Sequence, residues 1–221
     1  MSFPTTSKLI FITGTDTGIG KTYITGTIAK ILMELNISVT TMKPIQTGSI
    51  DIADDIITHR KIMGIKPTDF DLDHTTNPYN LPFPASPHLS AKLANIDIDI
   101  NKIKENISIL TKHYNVILIE GAGGILVPIK ETYTFVDLIK EINADVILVT
   151  TPKLGTLNHT FLTIELLKNR EIKLFCVVYN TFFTEKDEIM TNNFLTMKKF
   201  YPSINFITPN EIKNLFELYN F

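Results

Sequence analysis

Short runs of apolar and β-branched residues recur along the chain, separated by stretches with the apolar spacing of helices. Because the runs are almost continuously apolar, they are typical of strands buried on both faces of a sheet. The predicted strands cover residues 9–13, 39–42, 116–119, 146–150, 174–179 and, more weakly, 204–207. The predicted helices cover residues 23–35, 100–113, 135–142, 158–169 and 185–200.

Strand and helix therefore alternate almost throughout. This alternation predicts an α/β fold with a mostly parallel sheet flanked by helices. With 221 residues the chain has the length of one ordinary domain, so we expect a single domain over residues 1–221. Ligands of open α/β sheets bind at the carboxyl ends of the strands, and the informative loops are expected there.

One segment, residues 71–87, interrupts the alternation. Its prolines exclude a long regular element. Long irregular segments in compact domains are usually functional or disordered. Tyr79 and Phe83 make this one apolar enough to pack, so we expect an ordered excursion beside the active site.

The composition and charge of the chain limit the classes of binding partner that we expect. The chain carries 21 basic and 23 acidic residues, a formal charge of −2, which gives no electrostatic reason to expect nucleic acid or an anionic membrane surface. No apolar stretch approaches the roughly 20 residues of a membrane span, and residues 1–8 do not resemble a secretory signal. We expect a cytoplasmic protein with small-molecule or protein partners. Cys176 lies in an apolar run and is predicted to be a buried, inert thiol.

A glycine-rich segment, Gly14-Thr-Asp-Thr-Gly-Ile-Gly-Lys-Thr22, follows the first predicted strand and precedes the first predicted helix. Backbone N–H groups of such a loop surround a phosphate, the lysine adds a charge, and the final hydroxyl is offered to Mg²⁺. Five residues separate Gly14 from Gly20, where the common P-loop has four. The alternative is a glycine-rich turn, but the position between strand and helix favours a P-loop that binds a nucleoside triphosphate.

The second strand ends in Lys43-Pro-Ile-Gln-Thr-Gly48, which we expect beside the P-loop strand. An ammonium there could stabilise charge on a phosphate or a carboxylate. The alternative is a solvated lysine that happens to end a strand. Thr47 and Gly48 add a hydroxyl and a position for close backbone approach, and they favour the functional interpretation.

Carboxylates that could hold Mg²⁺ occur in two places. Glu120 ends a buried strand, before glycines that would let backbone amides approach an anion. Asp54 and Asp55 open a helix, where negative charge is also favourable for the helix alone. Thr22, one of the two aspartates and Glu120 would make a plausible set of oxygen ligands for Mg²⁺.

Two later loops carry candidate ligand contacts. Residues 152–159 join a strand to a helix, and their amides or Asn158 could bind a ligand carboxylate, although helix capping is an equally good explanation. Asn180 could read a base edge, or could simply form a turn. The five histidines show no metal-ligand spacing, and no Ser-His-Asp or Cys-His order supports acyl-enzyme chemistry.

Six blocks together, in residues 14–22, 43–48, 86–88, 120–124, 153–159 and 178–180, resemble the dethiobiotin synthetase family in their order and separation. The resemblance implies a homodimeric fold of the P-loop NTPase type. It implies conversion of 7,8-diaminopelargonate, CO₂ (or bicarbonate) and ATP into dethiobiotin, ADP and phosphate, in biotin biosynthesis. It also implies that no enzyme nucleophile takes part, since a substrate carbamate attacks the γ-phosphate and the second amine then closes the ring.

The resemblance also implies roles for individual residues. Lys43 and Lys21 would be catalytic, and Thr47 would contact the diamine. Gly155, Thr156 and Asn158 would hold the substrate carboxylate across the dimer interface. Mg²⁺ would be held by Thr22, Asp55 and Glu120, with Asp54 as the alternative to Asp55. The ATP-binding residues would be Thr17, Gly18, Ile19, Gly20, Lys21, Thr22, Tyr23, Asp55, Glu120, Gly121, Ala122, Gly123 and Asn180, the last reading adenine.

Two other classes of P-loop protein compete with this interpretation. Switch ATPases of the partitioning or septum-site kind carry a signature lysine near the start of the loop, where this chain has Asp16. A small-molecule kinase would share Lys21, Thr22 and Mg²⁺ but would phosphorylate its substrate without consuming CO₂. Another ring-closing or amide-forming P-loop ligase is the remaining alternative.

Overall fold

The computed structural model describes residues 7–183 and 186–219. Residues 1–6 of the predicted polar N-terminus and Glu185, the predicted start of the last long helix, lie outside this part of the chain. The strands are β1 Lys8–Gly14, β2 Val39–Met42, β3 Ile45–Thr47, β4 Tyr79–Leu81, β5 Val116–Gly124, β6 Pro128–Lys130, β7 Tyr133–Thr134, β8 Asp145–Thr150, β9 Leu174–Tyr179 and β10 Phe206–Ile207. The helices are α1 Lys21–Glu34, α2 Asp54–Met63, α3 Asp69–Leu72, α4 Pro87–Ala94, α5 Ile100–Leu110, α6 Phe135–Ile142, α7 Thr156–Asn169, α8 Asp187–Phe200 and α9 Ile212–Leu218, with a 3₁₀ turn at Pro209–Glu211.

Six strands form one parallel sheet in the order β10-β9-β8-β1-β5-β2. The predicted parallel α/β fold is therefore confirmed. The expectation that the strand ending at Lys43 lies beside the P-loop strand is wrong, because β5 lies between β1 and β2. Val116 of β5 pairs with Lys8 on one side and with Val39 on the other.

Successive residues of β1 pack on opposite sides of the sheet, as the period of two requires. Leu9 and Phe11 join the cluster that contains the buried residues of α5 and α6. Ile10 and Ile12 join the cluster that contains those of α1 and α9. Both faces are covered by helices, which is why the strands are almost continuously apolar.

Strand β5 continues through the glycines at which we predicted its end. Gly124 pairs with Gly14, and a Cβ at Gly124 would lie 3.4 Å from the Gly14 carbonyl oxygen. At Gly121 a Cβ would lie 2.8 Å from the ring of Phe11. The glycines therefore allow β5 to follow β1 closely as far as the phosphate loop.

The proline-rich segment is ordered, as predicted. It includes the end of α3 and the strand β4, which pairs in parallel with β3. Cys176 is fully buried and burial raises the pKa of its thiol, in agreement with the predicted inert cysteine. Within the described residues, no helix combines the length and the apolar character that a membrane crossing demands.

A buried ion pair joins α2 to the start of this segment. Arg60 Nε and Nη2 donate to the two oxygens of Asp71 at 2.8 and 2.7 Å, and both residues are 1% exposed. Asp71 also accepts from the hydroxyls of Thr68 and Thr76 and from the Thr68 amide. Burial alone would raise the pKa of Asp71, but Arg60 and the threonine donors outweigh burial and hold the pKa below its usual range.

We expect Asp71→Asn to lower the free energy of unfolding at pH 7 by about 3–5 kcal/mol, because it leaves Arg60 buried without its counter-ion. Asp71 contributes fully to the free energy of unfolding at pH values above the pKa that its carboxyl group has in the unfolded chain. This contribution is lost as the pH falls through the lower pKa that the same group has in the folded protein. The difference between wild type and variant in urea unfolding should therefore shrink in acid. Asp69→Asn, at an exposed carboxylate on the same helix, is the matched control. Equal stability of the two variants at pH 7 would contradict this role for the pair.

Candidate active site at the carboxyl edge of the sheet

A cavity of about 560 Å³ opens at the carboxyl ends of β1, β2 and β5. It lies where ligands bind in open α/β sheets. Ten of the residues predicted from the sequence line it: Thr17, Gly18, Lys21, Thr22, Lys43, Thr47, Asp55, Glu120, Ala122 and Gly123. The P-loop and the loops that follow β2 and β5 therefore meet at one site.

The glycine-rich segment bends between β1 and α1. Gly18 and Gly20 have φ of 70° and 90°, values that side chains other than glycine rarely adopt. Gly20 directly precedes Lys21, the first residue of α1, so the positive end of this helix faces the loop. The segment with five residues between Gly14 and Gly20 thus leads from the end of β1 directly into the N-terminal end of α1.

Lys21 is 6% exposed and donates from Nζ to the Asp16 carbonyl oxygen at 2.8 Å. Burial, and next the neighbouring ammonium of Lys43, lower the pKa of Lys21 to about 8. Across the part of the chain that the structure describes, no carboxylate forms an ion pair with Lys21. A phosphate would supply the negative charge that this buried ammonium needs.

Three oxygen-bearing side chains converge beside Lys21. The Thr22 hydroxyl lies 3.0 Å from Asp55 Oδ1 and 3.0 Å from Glu120 Oε1. Asp55 is the aspartate that enters the site, while Asp54 is exposed. Helix α2 begins after buried Ala53 and buries Ile56, and this phase turns Asp55 inward.

Lys43, at the end of β2, is 4% exposed and is therefore not a solvated lysine. Its Nζ lies 2.6 Å from Asp55 Oδ2, 2.9 Å from Glu120 Oε1 and 3.0 Å from the Gly121 carbonyl oxygen. Burial alone would lower the pKa of Lys43, but Glu120 and Asp55 outweigh burial and raise it. Lys43 therefore carries its charge wherever the two carboxylates are ionised.

Glu120 is 1% exposed, and its second oxygen faces a residue to which we assigned no role. Its Oε2 lies 2.8 Å from Nε2 of His59, which is fully buried. Burial alone would raise the pKa of Glu120, but Lys43 and His59 hold it well below its usual range. The sequence contains one signal for His59, because it follows Asp55 by four residues and so lies on the same face of α2.

Another part of the cavity lining comes from β3 and the proline-rich segment. Thr47 lines it next to Gly48, which has φ of 81°. Gln46 and Val127, to which we assigned no role, also contact the cavity. The further lining residues from this segment are Pro84, Ala85, Ser86 and Pro87.

Three predicted substrate residues lie away from this cavity within the same chain. Gly155 has φ of 91° and precedes α7, Thr156 Oγ1 lies 2.6 Å from Thr150 Oγ1, and Asn158 is exposed. No side chain caps α7 within the described residues, so the alternative explanation of Asn158 as a cap does not hold. Thr156 lines a separate small cleft with Asp16 of the phosphate loop.

Asn180, the predicted adenine reader, is 1% exposed and holds the phosphate loop. Its Nδ2 donates to the Ile19 carbonyl oxygen at 2.9 Å, and its Oδ1 accepts from the Phe182 amide at 3.2 Å. The exposed ring of Tyr23 packs edge-on against Phe182, with centroids 4.8 Å apart. The predicted nucleotide residues that do not line the main cavity are Ile19, Gly20, Tyr23, Gly121 and Asn180.

The donor set at Thr22 fits Mg²⁺. Within residues 7–183 and 186–219, no group of three His, Cys, Asp or Glu side chains could hold a metal ion. The set is instead one hydroxyl and two carboxylates, all oxygens, which suits an ion that keeps several waters and takes further ligands from phosphates.

Comparison with known proteins places this site in a family context. A family model described as AAA domain matches residues 8–209. A protein of Pasteurella multocida named ATP-dependent dethiobiotin synthetase BioD 2 is 43% identical over 205 residues, covering 90% of this chain and 96% of the relative. A protein of the same name from Haemophilus influenzae is 47% identical over 173 residues, covering 78% of this chain and 91% of the relative.

Solved structures with the same fold include a cell division protein and a ParA family ATPase. The MinD cell division protein of Aquifex aeolicus has a TM-score of 0.54 and 17% identity, covering 95% of this chain and 87% of that chain. A ParA family ATPase from Chlorobium tepidum TLS has a TM-score of 0.55 and 16% identity, covering 96% of this chain and 92% of that chain. At these identities the likeness shows a shared P-loop fold.

Proposed function

The chain belongs to the ATP-dependent dethiobiotin synthetase family, and we propose that it closes the ureido ring of dethiobiotin from 7,8-diaminopelargonate, CO₂ and ATP. The enzyme is accordingly an ATP-dependent ligase of biotin biosynthesis. The observation that carries the proposed reaction is the meeting of Lys21, Lys43 and the Thr22 oxygen set in one cavity. Such an arrangement can bind a triphosphate next to a second, reacting anion.

The phosphate loop would hold ATP. Backbone amides of residues 17–22 and the Lys21 ammonium would contact the phosphates, with the N-terminal end of α1 adding its positive dipole. Thr22, Asp55 and Glu120 would hold Mg²⁺, which would neutralise charge on the phosphate oxygens. Asn180 would contribute by fixing the Ile19 carbonyl, and any contact with adenine would use its remaining amide hydrogen.

Ring closure needs little covalent chemistry from the protein. One amine of the substrate captures CO₂ as a carbamate, a carbamate oxygen attacks the γ-phosphate with loss of ADP, and the second amine attacks the carbamate carbon and expels phosphate. Negative charge builds up on carbamate and phosphate oxygens along this path. Lys43 and Lys21 would stabilise that charge, and Thr47 would orient the diamine, so catalysis would be positioning with electrostatic stabilisation.

The test is phosphate release from Mg²⁺-ATP with 7,8-diaminopelargonate, with and without bicarbonate, followed by mass spectrometry of the product. We expect release that depends on both compounds, with dethiobiotin formed. Phosphate release that depends on neither compound would indicate a switch ATPase. A phosphorylated diamine formed without CO₂ would indicate a small-molecule kinase.

We further propose that the active form is a cytoplasmic homodimer. Gly155, Thr156 and Asn158 lie away from the cavity of their own chain, although the family resemblance assigns them to the substrate carboxylate. A second copy that supplied this loop would complete the site. Light scattering at assay concentration should give twice the chain mass. Full activity of a monomeric preparation would refute this arrangement.

A further inference from the structure

The two oxygens of Glu120 face different sides of the site. Oε1 lies 3.0 Å from the Thr22 hydroxyl and 2.9 Å from Lys43 Nζ, on the cavity side. Oε2 lies 2.8 Å from His59 Nε2, away from the cavity. His59 is fully buried and Glu120 is 1% exposed, so water does not compete for Oε2.

His59 is itself held from behind by α2 and β2. Its Nδ1 lies 3.0 Å from Thr41 Oγ1, and the same hydroxyl oxygen accepts from Arg60 Nη1 at 2.8 Å. Arg60 is fixed in turn by its two bonds to Asp71. The imidazole ring therefore has little freedom to move away from Glu120.

The network also assigns the hydrogen on the ring. The Thr41 hydroxyl accepts from Arg60 and can give its own hydrogen to His59 Nδ1. The ionised carboxylate of Glu120 has no hydrogen to donate, so His59 Nε2 must carry a ring hydrogen and donate it to Glu120 Oε2. A charge-assisted bond of this kind is among the stronger ones in a protein interior.

We propose that His59 is a positioning residue that leaves Glu120 only one oxygen for the nucleotide-bound cation and so makes the site select Mg²⁺ over Ca²⁺. The proposal rests on the proposed function, which places that cation beside Glu120. Mg²⁺ requires near-octahedral geometry and few protein oxygens, whereas Ca²⁺ takes six to eight oxygens and often both oxygens of a carboxylate. A carboxylate that has one oxygen bound to His59 can offer a single oxygen to Mg²⁺, but it cannot offer both oxygens to Ca²⁺.

The test compares wild type with His59→Leu and His59→Gln. Leucine fills a similar volume without a donor, whereas glutamine can present an N–H near the position of Nε2. The measurement is the affinity of a fluorescent, non-hydrolysable ATP analogue in saturating Mg²⁺ and, separately, in saturating Ca²⁺. Thermal unfolding without metal or nucleotide shows whether each variant is folded.

Loss of a hydrogen-bond partner behind a metal ligand typically costs 10–100-fold in metal affinity. We therefore expect His59→Leu to lower the ratio of Mg²⁺-supported to Ca²⁺-supported affinity by about 10-fold or more. His59→Gln should restore most of the ratio. A folded His59→Leu protein with the wild-type ratio would overturn the proposal, because a merely structural role would weaken both affinities alike.

If His59→Leu does not fold, a crystal structure of the wild-type protein with Mn²⁺ and the ATP analogue tests the proposal, because it shows how many Glu120 oxygens bind the ion. One Glu120 oxygen on the ion and the other on His59 is the expected result, and a Glu120 with both oxygens on the ion would refute the proposal. Failure of the proposed function is a separate result, because it appears as absence of dethiobiotin in the product assay. The cation ratio is measured on binding alone and does not depend on that product.

Discussion

Replacing Lys43 with alanine should lower kcat by about 10³-fold while nucleotide binding stays measurable. Loss of one group that stabilises transition-state charge costs about 10²–10³-fold in kcat. We expect the upper end of this range because Lys43 is expected to act on both the carbamate and the phosphate oxygens. The phosphate loop, with Lys21 and Thr22, is left intact by this change. The measurement is dethiobiotin formation under single-turnover conditions, together with titration of a fluorescent ATP analogue. Lys66→Ala, at an exposed lysine outside the cavity, is the control.

The same variant has a second consequence. In the wild type, Lys43 Nζ lies 2.6 Å from Asp55 and 2.9 Å from Glu120, so its removal leaves two neighbouring carboxylates without their cation. We expect Mg²⁺ to raise the melting temperature of the alanine variant more than that of the wild type, since the ion takes over the missing positive charge. A Lys43→Ala protein with a near-normal rate would remove Lys43 from the mechanism.

The sequence was most informative where a local pattern determines the outcome. Continuous apolar runs identified the strands, because a strand buried on both faces has no polar side to show. The glycines and Lys21 identified the phosphate loop, because that chemistry needs those residues in consecutive positions. Lys43 and Glu120 could be placed at the site because the carboxyl ends of parallel strands meet at one edge of the sheet.

Features that depend on distant pairing were missed or wrong. Nothing local in residues 39–42 shows that β5 separates them from β1, since strand order is decided by packing across the whole sheet. Nor does a lone His59 in a polar helix show that it is fully buried against a strand that lies 61 residues further along the chain. Asp55 was separable from Asp54 only through the phase of α2, which buried Ala53 and Ile56 fix.

The choice between synthetase and switch ATPase shows how far fold alone can lead. MinD and ParA share the P-loop architecture with this chain at 17% and 16% identity. At these identities the likeness shows the fold alone, so the choice must rest on the residues at the site. In this chain Lys43, Thr47 and the proline-rich segment line the cavity beside the phosphate loop.

Gly20→Ala should weaken ATP binding severely, because the substitution meets two obstacles at once. Gly20 has φ of 90°, which strains any residue with a side chain. A Cβ at this position would also overlap the Asn180 amide, which holds the Ile19 carbonyl. The loop must then shift between its two ends, and a loss of about 1.4–2.8 kcal/mol in phosphate contacts would lower ATP affinity about 10- to 100-fold.

Gly64→Ala separates the two obstacles. Gly64 has a similar φ of 75° at the end of α2, but a Cβ there would meet nothing within 4 Å. We therefore expect Gly64→Ala to cost about 1–2 kcal/mol of stability from backbone strain alone and to leave ATP affinity unchanged. Calorimetric titration with the ATP analogue and urea unfolding of both variants measure the two effects. If both variants bind ATP equally well, the contact between Gly20 and Asn180 does not set the shape of the phosphate loop.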